Sequence, residues 1–306
     1  MQPQVSEPSV PQLALSHCSV EEYCLSLRGQ RGAGFWWYQE PSDPSHNYSH
    51  PFQDADGAWW YQVKRGLAWP ADTLQPLQRP RLPFSKCFLG HQHLVADAKD
   101  GDSFLAFNVL ENLSQYSLAA LRDKRRAVRK GLRLCSVIKL DRCDEGVVTE
   151  CAAVWNSLVE RTGWKMKLTP QAFVESWRKL LVLAGTSILV GTDKEQGGVA
   201  GFLIVKIFGS TAYVDTIASH SDKLALHIND ALLYSFLMNA QQVTGVTRAH
   251  YSLVSNVTEL ERFKQSLGFV PTKFPACTHL TPGVGTALRL FFPQKFKRLV
   301  GDIGLP

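Results

Sequence analysis

From residue 134 onward the hydrophobic pattern switches between periods of two and 3.6 in the order β-α-α-β-β-β-α-β-α-β-β. That order restricts the fold more than any other feature of the chain. Strands are expected at 134–140, 186–192, 198–208, 210–218, 248–254, 269–279 and 286–292, and helices at 147–161, 169–183, 228–242 and 258–267. The turns Gly197-Gly198 and Gly209-Ser210 are hairpin signals, so the three strands before the long helix run antiparallel. The helix over 228–242 then crosses over to the next strand. The result is a mixed, mostly antiparallel sheet flanked by helices. It is not a doubly wound nucleotide-binding sheet, and no GxGxxG or GxxxxGK[ST] stands in a strand-to-helix turn. Thr258 and Glu261 have the spacing of a capping box, and Leu260, Phe263 and Leu267 form the expected inward face of that helix.

The first half is patterned differently. Residues 1–30 are rich in Pro, Ser and Gln and read as a flexible arm with one short helix at 20–27. Residues 31–117 read as a β-rich aromatic lobe, with strands at 35–38, 59–63 and 104–110. Residues 118–306 form the third division. With 306 residues the chain has room for about two domains. No run reaches the ~18 apolar residues of a membrane span, and the start has no basic segment leading into an apolar core. Seven cysteines without a CxxC fit a reduced, cytoplasmic protein better than a disulfide framework or a structural zinc site.

Charge is concentrated in one place. The stretch 122–133 holds seven basic residues and one acid, a surplus equal to the +6 net charge of the whole chain. Arg122, Arg126, Arg129 and Arg133 are spaced four, three and four apart, so they line one helix face, and Gly131 reads as a helix terminator. Such a stripe suits phosphate groups of a cofactor, a nucleic acid or an anionic surface, or is simply a solvated face.

Four segments carry a family resemblance. They are 118–131 (LAALRDKRRAVRKG), 228–245 with its leading Ile-Asn-Asp-Ala-Leu-Leu, 260–269 (LERFKQSLGF) and 292–301 (FPQKFKRLVG). In this order they resemble the GNAT superfamily of acyltransferases, in its FemAB-like or BioF2-like acetyltransferase branch. The resemblance implies a GNAT-like α/β fold and transfer of an acyl group from acyl-CoA to an amine on a small molecule or peptide. It implies no permanently bound cofactor and no metal. Aminoacyl-tRNA is the other donor known in the branch, and a non-catalytic binding module is the third reading. The sequence departs from the GNAT pattern at 220–229, where the glycine loop that binds coenzyme A pyrophosphate is absent.

Acyl transfer needs a base, a group facing the developing oxyanion and a donor site. Asp215, a carboxylate in the middle of an apolar strand, is the candidate base, or an acid on the solvent side of an edge strand. Tyr251 is the candidate acid, or a core tyrosine. It alternates with His250, so one of the two faces any cleft. Lys264 takes the place of the usual GNAT tyrosine, and the resemblance gives it the charge-stabilising role; a surface lysine is the plain alternative. Asn229, Arg122, Arg126 and Arg129 are the candidate donor-binding residues, with Asn229 as a helix cap the plainer reading. His220 is a further base candidate. His91 and His93 invite a metal reading, but strand alternation explains them. The paired tryptophans read as core.

Overall fold

Ile228 opens a helix whose first turn meets glycines from three other elements, and this contact sets the layering around it. The computed structural model describes residues 9–28, 51–164, 167–255 and 257–300. In chain order its helices and strands are α1 (Val20–Leu27), β1 (Phe52–Gln53), β2 (Trp59–Lys64), β3 (Leu67–Pro70), α2 (Phe84–Cys87), β4 (Gly90–Leu94) and β5 (Ser103–Leu110). Then come α3 (Arg125–Leu134), β6 (Cys135–Leu140), α4 (Glu145–Thr162), α5 (Pro170–Leu181), β7 (Thr186–Asp193), β8 (Val199–Phe208) and β9 (Thr211–Ser219). The last are α6 (Ile228–Ala240), β10 (Arg248–Leu253), α7 (Thr258–Ser266), β11 (Val270–Leu280), α8 (Val284–Phe291) and α9 (Pro293–Leu299). The expected strand at 35–38 lies outside the described residues.

Two compact units divide the chain: Met1–Cys18 with Asn108–Val270, and Ser19–Phe107 with Pro271–Pro306. In the first, β6, β7, β8 and β9 pair antiparallel in sequence, and β10 pairs parallel to β9. Helices cover both faces. On one, Leu203, Val205 and Ile207 of β8 pack with Ala212 and Val214 of β9, with α6 and with Val128 and Leu132 of α3. On the other, Phe202 meets Phe173 and Trp177 of α5 with ring centroids 5.8 and 5.2 Å apart. Asp144 caps α4 by accepting from the backbone N–H groups of Gly146 and Val147, and Gly163 ends it in the left-handed region at φ 70°. Residues 9–18 run along this unit, where Leu13 N–H donates to Asn239 Oδ1 at 2.7 Å and Ser16 N–H to Ser187 Oγ at 3.0 Å.

In the second unit β1, β2 and β3 are antiparallel, β3 is parallel to β4, β4 is antiparallel to β11, and β11 neighbours β5. The Trp59-Trp60 pair is core: Trp60 is fully buried and its indole N–H donates to Asp54 Oδ2 at 2.9 Å.

The structure corrects four expectations. The basic stretch is not one helix, because α3 begins at Arg125 and 118–120 is a separate 3-10 turn. Arg122 therefore lies outside the helix that carries Arg126, Arg129 and Arg133. Gly131 does not end that helix. It is buried within it, and a Cβ there would stand 2.5 Å from the carbonyl oxygen of His227 and 3.0 Å from Ala231 Cβ. Residues 286–292 are largely helical as part of α8: the Ala-Leu-Arg-Leu run favours a helix, and Ala287 N–H closes the first turn onto Gly283 O at 2.9 Å. The Thr258/Glu261 capping box is absent. Glu261 is buried and accepts from Ser255 N–H at 2.8 Å instead, which rotates Leu260 outward.

Because the atom facing Gly131 is backbone, it cannot swing aside. Gly131→Val is expected to destabilise the protein by ~2 kcal/mol through overpacking, read as a lower denaturant midpoint at unchanged slope.

Candidate active site

β9 and β10 are parallel because α6 carries the chain back across the sheet, but their pairing is short. It joins only Thr211, Ala212 and Tyr213 to Arg248, Ala249 and His250. Beyond those residues the two strands no longer pair with each other. At the same level β9 bulges. Val214 pairs with Val205 and Thr216 with Ile204, which leaves Asp215 as the extra residue. A bulge bends a strand and re-aims a side chain. Asp215 lies on the face that carries Tyr213 and Lys206, and the bulge adds Thr216 to the same face.

Lys206 Nζ donates to Asp215 Oδ1 at 3.1 Å, with the two side chains only 4% and 8% exposed. Burial raises the Asp215 carboxyl and the Lys206 ammonium opposes that rise. Its second oxygen, Oδ2, is buried with no hydrogen-bond partner among the described residues. His250 joins this face, its ring edge-on to Tyr213 at 5.3 Å. Burial, reinforced by Lys264 and Arg248, pushes His250 down to about 3, so its imidazole is neutral at pH 7.

Tyr251, the next residue, points to the other face and belongs to the core cluster beneath α6. There Lys264, 1% exposed, lies over its ring at 5.1 Å from the centroid. The Lys264 ammonium donates to Glu261 Oε1 at 2.8 Å, Ser252 Oγ at 3.3 Å and Leu253 O at 3.3 Å. Burial lowers Lys264 and Glu261 holds it up; burial raises the Tyr251 phenol. Ser252 sits at φ 57°, a backbone conformation that non-glycine residues seldom adopt. Of the three catalytic candidates, then, Tyr251 and Lys264 are brought together, and Asp215 stands on the opposite face.

Asn229 lies in the first turn of α6. Its Nδ2 donates to Ser219 Oγ at 3.1 Å, at the far end of β9, and its Oδ1 is buried with no partner among the described residues. Beside it Asp230 is held by Lys124 at 2.9 Å and His227 at 3.1 Å. Arg122, Arg126 and Arg129 are all exposed. His220 caps the 3-10 turn that follows it, accepting from Asp222 N–H at 3.3 Å, rather than facing a reacting group. In the second unit His91 and His93 lie directly across from His279 and Cys277, and these four line a cavity of about 1020 Å³. Among the described residues no set of three His, Cys, Asp or Glu side chains is arranged to hold a metal ion.

Lys206 and Glu261 were not among the sequence candidates. Lys206 had a signal, since it is a lone cation inside the apolar run 199–208. Glu261 had one too, three residues before Lys264 on one helix.

Two outcomes follow. Lys206→Met leaves an acid buried without its cation and is expected to cost about 3–5 kcal/mol at neutral pH. Urea unfolding measures this, and Lys206→Met/Asp215→Leu should recover most of the loss. His250 binds its proton more weakly folded than unfolded, so its contribution is complete above the unfolded value of ~6.5. It is lost as pH falls toward about 3. His250→Gln should flatten that acid slope in thermal unfolding, and an unchanged slope would contradict the assignment.

No family model and no curated protein matches the chain. Solved structures do. L-PGS from Bacillus licheniformis is 15% identical with a TM-score of 0.54, over 97% of this chain and 98% of that chain. The C-terminal domain of a putative lysylphosphatidylglycerol synthetase from Agrobacterium fabrum is 11% identical with a TM-score of 0.53, over 93% and 97%. FemX is 12% identical with a TM-score of 0.46, over 61% of this chain and 63% of that chain, so the chain spans less than two thirds of that structure. At such identities the first two show a shared fold. The chain has the mixed α/β fold of those structures.

Proposed function

We propose that the chain is an N-acyltransferase that moves an acyl group from a thioester, acyl-CoA, to an amine by direct attack, at the opening between β9 and β10. One observation carries the reading. The parallel pairing stops after three residues, and the chain places buried charged groups on both faces at that point. Strand backbone that has lost its neighbour offers N–H and C=O groups to an extended donor. Groups on opposite faces of a sheet can address one substrate only through such a gap.

In this reading the amine enters on the Asp215 side. Its nitrogen bonds to the thioester carbon while Asp215, paired with the Lys206 ammonium, takes the proton. The carbonyl oxygen and the leaving sulfur lie on the Lys264 side. There the ammonium offsets the developing negative charge, and Tyr251, kept protonated by burial, returns a proton to the departing thiolate. Asn229 offers its unpaired oxygen to the donor, and Arg122, Arg126 and Arg129 offer cations to its phosphates. Acyl-CoA is a co-substrate here, not a resident cofactor.

The test is transfer from acetyl-CoA and longer acyl-CoAs to a panel of amines. Asp215→Asn should lower kcat at least ~100-fold while the donor KM moves little. Equal activity in the variant overturns the base assignment. Turnover with aminoacyl-tRNA alone would select the other donor, and no turnover with either would leave a binding module of the same fold.

A further inference from the structure

The second unit carries a surface that the transfer chemistry does not use. α8 reads Val-Gly-Thr-Ala-Leu-Arg-Leu-Phe, yet none of its residues is buried. An apolar helix of a folded protein ordinarily covers one face against a core. Here Leu290 is 69% exposed and Phe291 73%. The helix is nevertheless fixed in place. At its start Thr281 N–H donates to Leu89 O at 3.2 Å and Thr281 Oγ1 to Phe88 O at 2.6 Å. After α9, Leu299 O accepts from Gln92 Nε2, and Phe104 N–H donates to Val300 O at 3.3 Å. Between these tethers the Arg289 guanidinium packs over the Phe296 ring at 4.8 Å. The two helices thus form a strap held at both ends whose middle projects its apolar residues. The short helix α2, which Thr281 ties down, adds Phe84 at 71% exposure.

Along the strap itself the charge has one sign. Residues 281–300 contain Arg289, Lys295, Lys297 and Arg298 and no acid, and the chain has no Asp or Glu anywhere from 262 to 301. We propose that the α8–α9 strap is an interfacial anchor that seats on an anionic phospholipid surface, with Leu290 and Phe291 entering the acyl boundary and Arg289 and Lys297 meeting the headgroups. A lipid surface fits better than a protein groove. A groove reads one stripe at i, i+3, i+4 and i+7; α8 has that stripe in Val284, Ala287, Leu288 and Phe291, but the exposed Leu290 and the following Phe292 carry the apolar surface beyond it. A fluid interface accepts such a wedge in any register. Among the described residues no helix is long and apolar enough to span a membrane, so the contact is peripheral. The inference rests on this surface alone and does not depend on the transfer reaction.

The experiment is co-sedimentation of the full chain with phosphatidylcholine vesicles and with vesicles containing about 30% phosphatidylglycerol. The wild type should pellet with the anionic vesicles, less so at high salt. Leu290→Ser/Phe291→Ser should weaken binding ~10-fold or more. Arg289→Glu/Lys297→Glu is the second variant, with the same expected loss and no change to the apolar residues. Circular dichroism and the unfolding midpoint check that both remain folded. Failure of the wild type to pellet overturns the proposal, as does undiminished binding by the folded variants. Equal binding to pure phosphatidylcholine overturns its electrostatic half. A wild type that dimerises without lipid, beside a monomeric Ser variant, would assign the patch to a second copy instead.

Discussion

The first turn of α6 is the point on which the first unit is built. Ile228 sits where Gly191 of β7 and Gly201 of β8 leave no side chain: a Cβ on Gly191 would stand 2.1 Å from Ile228 Cδ1, and one on Gly201 3.1 Å from Ile228 Cγ1. Gly131 of α3 meets the carbonyl of His227 just before it. Three glycines, distant in sequence, thus let one helix lie directly on two strands and against a second helix. Close packing of this kind is intolerant of added volume. It also fixes where α6 starts and so where Asn229 stands relative to the end of β9. From there α6 must return the chain to the near end of the sheet, which makes β10 parallel to β9 and sets up their short pairing.

Around that pairing the protein buries two ion pairs, Lys206–Asp215 on one face and Lys264–Glu261 on the other. Buried pairs seldom repay their desolvation, and apolar substitutes are often as stable or more so. Their presence beside the short β9–β10 pairing is therefore poorly accounted for by stability. It is well accounted for by chemistry that needs a carboxylate and an ammonium held in low dielectric. The unsatisfied oxygens of Asp215, Glu261 and Asn229 fit the same account, since each is buried with an acceptor position open among the described residues.

Much of this was legible in the chain. The order of strands and helices from 134 to 267 follows from periodicity, and caps such as Thr169-Pro170 and Gly163 mark helix ends by local chemistry. What stayed hidden depends on distant contacts. Gly131 carries the signature of a terminator, and only its approach to His227 shows that it is a packing glycine. The bulge at Asp215 comes from the register with β8, which no local pattern encodes. Glu261 has the spacing of a capping residue but is drawn inward by Lys264 and Ser255. Residues 286–292 alternate too weakly to separate a strand from a helix over so short a run. Asp215 stands out as a carboxylate in an apolar strand, while Lys264 was singled out through the family resemblance and Tyr251 through its alternation with His250; that the sheet divides them was not legible.

The most direct test of the opening as the donor site is hydrogen–deuterium exchange of the full chain with and without a non-transferable thioether analogue of acyl-CoA. The account requires new protection in 214–219 and 251–253, the strand segments that no longer pair with each other. Protection confined to the histidine-lined cavity at 77–100 and 277–282, or no protection beside measurable binding, would contradict it.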